Sequence, residues 1–318
     1  MKFQHKIDFQ AHYLPPAYYD FLEEEGLFCP DGFPTPEWDE TWQQEAMKEL
    51  GISYALLSLS SPSLYTGDPS RSQKLARKVN EQGAEIVARA PGNLGFLATL
   101  PLPSVSSSVL EAEYCLDTLH ADGVGLMTNY GGVYLGDRRL EELMAALDQR
   151  EALAVIHPTQ PTVVVPQVNE EISLPAFEYF VETTRTFLNM VQNDTLRRYP
   201  RIKWVIPHAG AFLPILADRF ESFALMLRFA DPDRRADIME DMAHVYYDVA
   251  GFSEQKQVEM LLRNVDASHL LYGSDTPYTD ITVCVGQAEA LENTTKLTAA
   301  QKQMLFTDNA KALLPKLN

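Results

Sequence analysis

At 318 residues, with 46% hydrophobic and 22% charged side chains, the chain has a folded protein's composition and no room for a long disordered tail. A formal net charge of −18 argues against nucleic acid, which needs a basic surface, but permits a small carboxylate substrate in a cleft whose local charge outweighs a screened exterior. No apolar run reaches the roughly 20 residues that span a bilayer, the start "MKFQHKID" lacks an apolar signal core, and Cys29, Cys115 and Cys284 form no CxxC, so reduced thiols and a cytoplasmic location are expected.

Eight apolar runs of strand length follow one another, at 6–12, 53–60, 94–101, 123–129, 153–158, 202–210, 244–251 and 270–278. Helical patterns separate most of them. "WQQEAMKELG" (42–51) has helical apolar spacing and a terminal Gly, and "RRLEELMAALDQR" (138–150) is amphipathic. "FEYFVETTRTFLNMVQNDTLRRYP" (177–200) predicts one long helix stopped by Pro200. Near-continuous apolar strands alternating with helices imply parallel strands buried on both faces. For this length the closure is a (β/α)8 TIM barrel, one domain over residues 1–318. An open doubly wound sheet is disfavoured, because no GxGxxG turn follows the first strand. Two proline-rich connections, 23–38 and 158–175, are long enough to wall the C-terminal face.

Polar residues recur at the C-terminal strand ends: Gln10 and His12, Ser58 and Ser60, Asn129, His157, His208, Asp248, Ser274 and Asp275. In a barrel these ends face the mouth, where chemistry is built. In "KIDFQAHYLPP" (6–16), Asp8, Gln10 and His12 stand two apart, which places them on one face of a strand. A lone histidine at a strand end is commonly a hydrogen-bonded structural group. His12, His157 and His208 converging with Asp275 read instead as a site for one zinc-like or manganese-like divalent ion. His5, His120, His244 and His269 fall at strand starts or on connections, and read as structural.

Several pieces, in order from residue 7 to 314, carry a family resemblance: "IDFQAHYLPP", "AVIHP", "ETTRTFLNM", "RYPRIKWVIPHAGAFLP", "LLYGSDTPY" and "DNAKALL". Together they resemble the amidohydrolase-2 family, the group of aminocarboxymuconate semialdehyde and salicylate-type decarboxylases. The "PDGFPTPEW" and "LLSLSSP" segments further resemble its 6-methylsalicylate decarboxylase branch. The resemblance implies a single metal between the first-strand motif, His157 and Asp275, with His208 beside it as an acid/base or polarising group. It implies a homodimer in which Arg219 reaches the neighbouring subunit's site and binds the substrate carboxylate. A surface helix residue is the plain alternative for Arg219. Two departures stand out: Gln10 replaces the family's usual His or Glu, and "HAG" (208–210) replaces the usual "HGG".

"GLMTN" (125–129) carries no lysine for a bridging carbamate, so one metal is expected rather than two. Gln10 would offer a neutral amide oxygen, as a weak ligand or a supporting partner of His12, His157 and Asp275. The resemblance implies non-oxidative decarboxylation, with Asp275 as proton donor and His208 modulating it, while Phe9, Trp38 and Tyr278 near the mouth would cover the ring. Two alternatives stay open: metal-dependent hydrolysis of a lactone, ester or amide, and a metal-poor barrel that only binds.

Overall fold

The computed structural model describes residues 2–168, 171–227 and 237–317. Eight parallel strands form the central sheet: Lys6–His12, Ile52–Ser58, Leu94–Thr99, Gly123–Met127, Leu153–His157, Lys203–Ile206, Tyr246–Asp248 and Leu270–Leu271. They pair in sequence order, as successive right-handed β-α-β crossovers dictate. The last strand returns to the first: Phe9 N–H donates to Tyr272 O at 2.8 Å, and Asp275 N–H and His12 N–H donate to Gln10 O and Thr276 O at 2.7 Å each. The predicted barrel is therefore the observed one. Inside it Ile7, Phe9, Leu56, Leu97, Val155, Val205 and Leu271 pack together, and Leu313 and Leu314 join them at the chain's end.

Helices fill the outer layer where the apolar spacing predicted them. Asp39 caps Glu40–Leu50 by accepting from Trp42 N–H at 2.7 Å, and Gly51 ends it with φ 69°, a left-handed conformation that favours glycine. The 177–200 segment is two helices rather than one. Leu174–Gln192 ends at Asn193, Asp194 turns left-handed (φ 55°), and a short helix Thr195–Arg198 follows. Asparagine and aspartate tolerate that conformation, so the break falls before Pro200.

The later strands are shorter at their C-terminal ends than the apolar runs predicted. Pro207, just past Ile206, has no N–H for the ladder, and residues 208–211 all take positive φ, between 52° and 77°. That turn throws the His208 ring over the mouth. A hairpin, Asn129–Tyr130 against Val133–Tyr134, was not predicted; Gly131 and Gly132, both at positive φ, make its turn. No helix among the described residues is long and apolar enough to cross a membrane.

Candidate metal centre and its cavity

A register shift between Asp8 and Ala11 sets three steps of the first strand against two of the second. Such a bulge breaks the period of two, so Asp8 does not share a face with Gln10 and His12. Its Oδ1 instead accepts from the backbone N–H groups of Gln10 and Ser274, at 3.0 Å each. Phe9, fully buried in the barrel core, is likewise absent from the mouth.

His12, His157 and Asp275 come together, their ligand-type atoms all within 4.8 Å of one another. Each imidazole is oriented by a carbonyl, which can only accept a hydrogen. His12 Nδ1 lies 3.3 Å from Ser58 O and 3.1 Å from Ser58 Oγ. His157 Nδ1 lies 2.7 Å from Pro158 O. Both rings therefore keep a hydrogen on Nδ1 and turn Nε2 inward, where a cation would take its lone pair. His12 Nε2 is 3.1 Å from Asp275 Oδ1, a spacing that a shared proton or a shared cation accounts for. Burial lowers the His157 pKa well below the usual imidazole value, and neighbouring His12 adds to this, so His157 is neutral. Burial alone would raise the Asp275 carboxyl, but the hydrogen bond and charge of His12 outweigh it and hold the group at about 2. Asp275 is ionised, and Thr279 Oγ1 donates to its Oδ2 at 3.1 Å.

The Gln10 amide lies between Asp248 on one side and His208 and Asp275 on the other. One amide atom is 2.8 and 2.6 Å from the two Asp248 oxygens, and the other is 3.2 Å from His208 Nε2 and 3.4 Å from Asp275 Oδ1. Burial raises the Asp248 carboxyl to about 8, which the N–H groups of His208 and Ala250 oppose; beside the carboxylate an amide oxygen would leave no hydrogen among the three, so Nε2 takes the Asp248 side and Oε1 accepts from His208. His208 is buried with Nδ1 unpartnered, and burial lowers its pKa.

Above these groups opens a cavity of about 550 Å³. Phe33, Phe180, Phe252, Tyr278 and Val283 supply apolar wall, with Pro30 from the first proline-rich connection and Pro175 from the second. Tyr278 stands edge-on to His12, ring centroids 5.6 Å apart. One side is polar: Ser61 Oγ and Tyr179 OH donate to Asp31 Oδ2 at 2.5 and 2.7 Å, and Ser61 and Thr159 hydroxyls are 2.6 Å apart. Among the described residues no lysine or arginine lines this space.

Two predicted contacts lie elsewhere. Trp38 is held by its N–H to Gln43 Oε1 at 3.0 Å and packs against Tyr13, so it does not cover the cavity. Arg219 is exposed on the helix Leu213–Leu227, its guanidinium over the Phe223 ring, and does not enter its own chain's cavity. Sequence reasoning missed Asp31 and Tyr179, and gave Asp248 no role. Only the Pro-Asp-Gly turn at 30–32 and the strand-end position of Asp248 signalled them.

Residues 7–316 match the profile of a family described as amidohydrolase. A 6-methylsalicylic acid decarboxylase, acuB, of Aspergillus aculeatus is 34% identical over 86% of this chain and 84% of its own. A decarboxylase, yanB, of Aspergillus niger is 30% identical over 98% of this chain and 88% of its own. A crystal structure described as an amidohydrolase II superposes with a TM-score of 0.93 at 39% identity, covering 98% of this chain and 99% of that one.

Proposed function

The chain belongs to the amidohydrolase family, and on that footing we propose that it is a metal-dependent, non-oxidative decarboxylase of a small salicylate-type carboxylate such as 6-methylsalicylate. The observation that carries this reading is the convergence of the inward Nε2 atoms of His12 and His157 with the ionised Asp275 under an apolar cavity. Its volume of about 550 Å³ falls within the ~300–1,000 Å³ usual for small-ligand sites. Similarity to a 6-methylsalicylic acid decarboxylase supports the substrate class.

Two imidazole nitrogens, a carboxylate and an amide oxygen suit one divalent ion, zinc or manganese. His12, His157 and Asp275 would hold it, with Gln10 Oε1 a weaker fourth donor. When bound, the ion supplies charge to hold adjacent carboxylate and phenolate oxygens of a 2-hydroxybenzoate. Phe33, Phe180 and Tyr278 would fix the ring and exclude water. The phenolic proton passes to Asp275, or to His208 at its unpartnered Nδ1, and is delivered to the ring carbon bearing the carboxylate. The bond to the carboxylate then breaks, CO2 leaves, its electron pair restores the ring, and the phenolate takes a proton from solvent.

With no cation of its own lining the cavity among the described residues, the chain would borrow Arg219 from a second copy. Arg219 sits on a helix whose Ile215, Phe223 and Met226 are 63%, 48% and 61% exposed, an apolar face that a homodimer would cover. Three free cysteines fit a cytoplasmic location. The test is product analysis: metal-loaded protein with 6-methylsalicylate in deuterated water should release CO2 and place one deuterium at the vacated ring position. Inertness toward a panel of 2-hydroxybenzoates, with turnover of a lactone or ester instead, would move the assignment to a hydrolase.

A further inference from the structure

The two oxygens of Asp248 are spoken for from every side. Asp248 Oδ1 accepts from His208 N–H at 3.0 Å and Ala250 N–H at 3.1 Å, and the Gln10 amide nitrogen reaches both oxygens. The approach requires Gly273: a Cβ there would stand 2.9 Å from the Gln10 Cβ, 3.1 Å from the Ala250 Cβ and 3.4 Å from the Asp248 Cβ. Under 3 Å something must shift, and what would shift is the seam between the first and eighth strands. The glycine in "LLYGSD" thus lets a side chain of the first strand touch one of the seventh.

An amide is a cation ligand through its oxygen only, because its nitrogen carries two hydrogens and no available lone pair. A free glutamine turns either end inward. Asp248 as a carboxylate removes that choice, since both of its oxygens then accept only and call for N–H groups. We propose that Asp248 is a positioning residue that locks Gln10 with Oε1 toward His12, His157 and Asp275, and so makes a glutamine serviceable at a position where the resemblance leads one to expect histidine or glutamate. The proposal rests on the metal reading given above and adds to it how the unusual first-strand residue is held.

Asp248→Asn separates orientation from packing. The introduced amide oxygen keeps the His208 and Ala250 N–H bonds, which places the introduced NH2 against Gln10. Gln10 must then offer Oε1 to that NH2 and turn its own NH2 toward the cation. Binding of Mn²⁺ to metal-stripped protein, followed by loss of the free-ion electron paramagnetic resonance signal, reads this without any substrate. Asp248→Asn is expected to weaken Mn²⁺ about 10- to 100-fold, as loss of a ligand-orienting partner does. Gln10→Ala should weaken it similarly, and Gln10→Ala with Asp248→Asn no further, because the two act as one unit. Gln10→Glu with Asp248→Asn should restore affinity, since a carboxylate accepts from the introduced NH2 with one oxygen and keeps the other for the ion. Unchanged affinity in Asp248→Asn, or losses that add in the double variant, would overturn the proposal while leaving the metal site standing. No Mn²⁺ binding by the unaltered protein would instead remove the metal reading, and this proposal with it. Circular dichroism melts of each variant identify any that fails to fold; the Gln10 variants then decide on their own.

Discussion

Asp31 offers the sharpest test of how the cavity is held. It lies in the turn Pro30–Gly32, in the first proline-rich connection. One of its oxygens takes Ser61 Oγ at 2.5 Å, beyond the second strand, and Tyr179 OH at 2.7 Å, from the helix Leu174–Gln192. Three separate segments therefore meet on one buried carboxylate. Asp31→Asn keeps the side-chain shape and the left-handed backbone (φ 55°), which asparagine tolerates as well as aspartate. What it removes is charge. A hydrogen bond to a charged acceptor contributes about 1.5–3 kcal/mol and one between neutral groups about 0.5–1.5, so two such bonds lose roughly 2–3 kcal/mol together. Over 318 residues the unfolding entropy is about 0.7 kcal/mol per degree, giving a Tm about 3–4 °C lower. Urea titration measures the free energy. Tyr179→Phe should lose about half as much, and the double variant less than the sum. Because Ser61 and Tyr179 line the cavity, KM should rise in Asp31→Asn with kcat changed much less. A free-energy loss under about 0.5 kcal/mol, the bottom of the range for a single neutral bond, or strictly additive variants, would refute the clamp.

Metal removal and readdition should move the melting point. At a hundredfold excess over Kd, Mn²⁺ stabilises the folded state by about 2.7 kcal/mol, about 4 °C here, whereas His157→Ala should shift less than about 1 °C; an equal shift in both would place the ion elsewhere. Arg219→Ala should leave Tm within about 1 °C, as surface substitutions do, yet raise KM at least tenfold, and sedimentation should find twice the chain mass; a monomer with normal KM sinks the shared-arginine reading. Cys29 is exposed while Cys115 and Cys284 are buried, with burial raising both of their pKa values. One thiol per chain should therefore react with a disulfide reagent in the native protein and three in denaturant, and two fast thiols would contradict the packing.

The barrel was legible because its cause is local. Each strand is an apolar run, most strand ends carry a polar residue, and closure follows from the count and the alternation. His12, His157 and Asp275 were legible for the same reason, since a strand end fixes where a side chain goes. Asp8 was misread because a bulge is one residue's departure from period two, and the sequence "KIDFQAH" has no glycine or proline to announce it. Trp38 was misread because an aromatic side chain in a connection packs on whichever face the backbone reaches, and here that is Tyr13. Asp31, Tyr179 and Asp248 act through partners 30 to 238 positions away, and a pairing of that kind exists only once the barrel has closed. The unusual glutamine is the clearest case. Read alone, Gln10 suggests a weakened or lost metal site; read with Asp248 and Gly273, it is an amide with one orientation left to it. Whether a neutral residue serves as a ligand depends on what holds its other end, and on this barrel the holding residue comes from the opposite side of the seam.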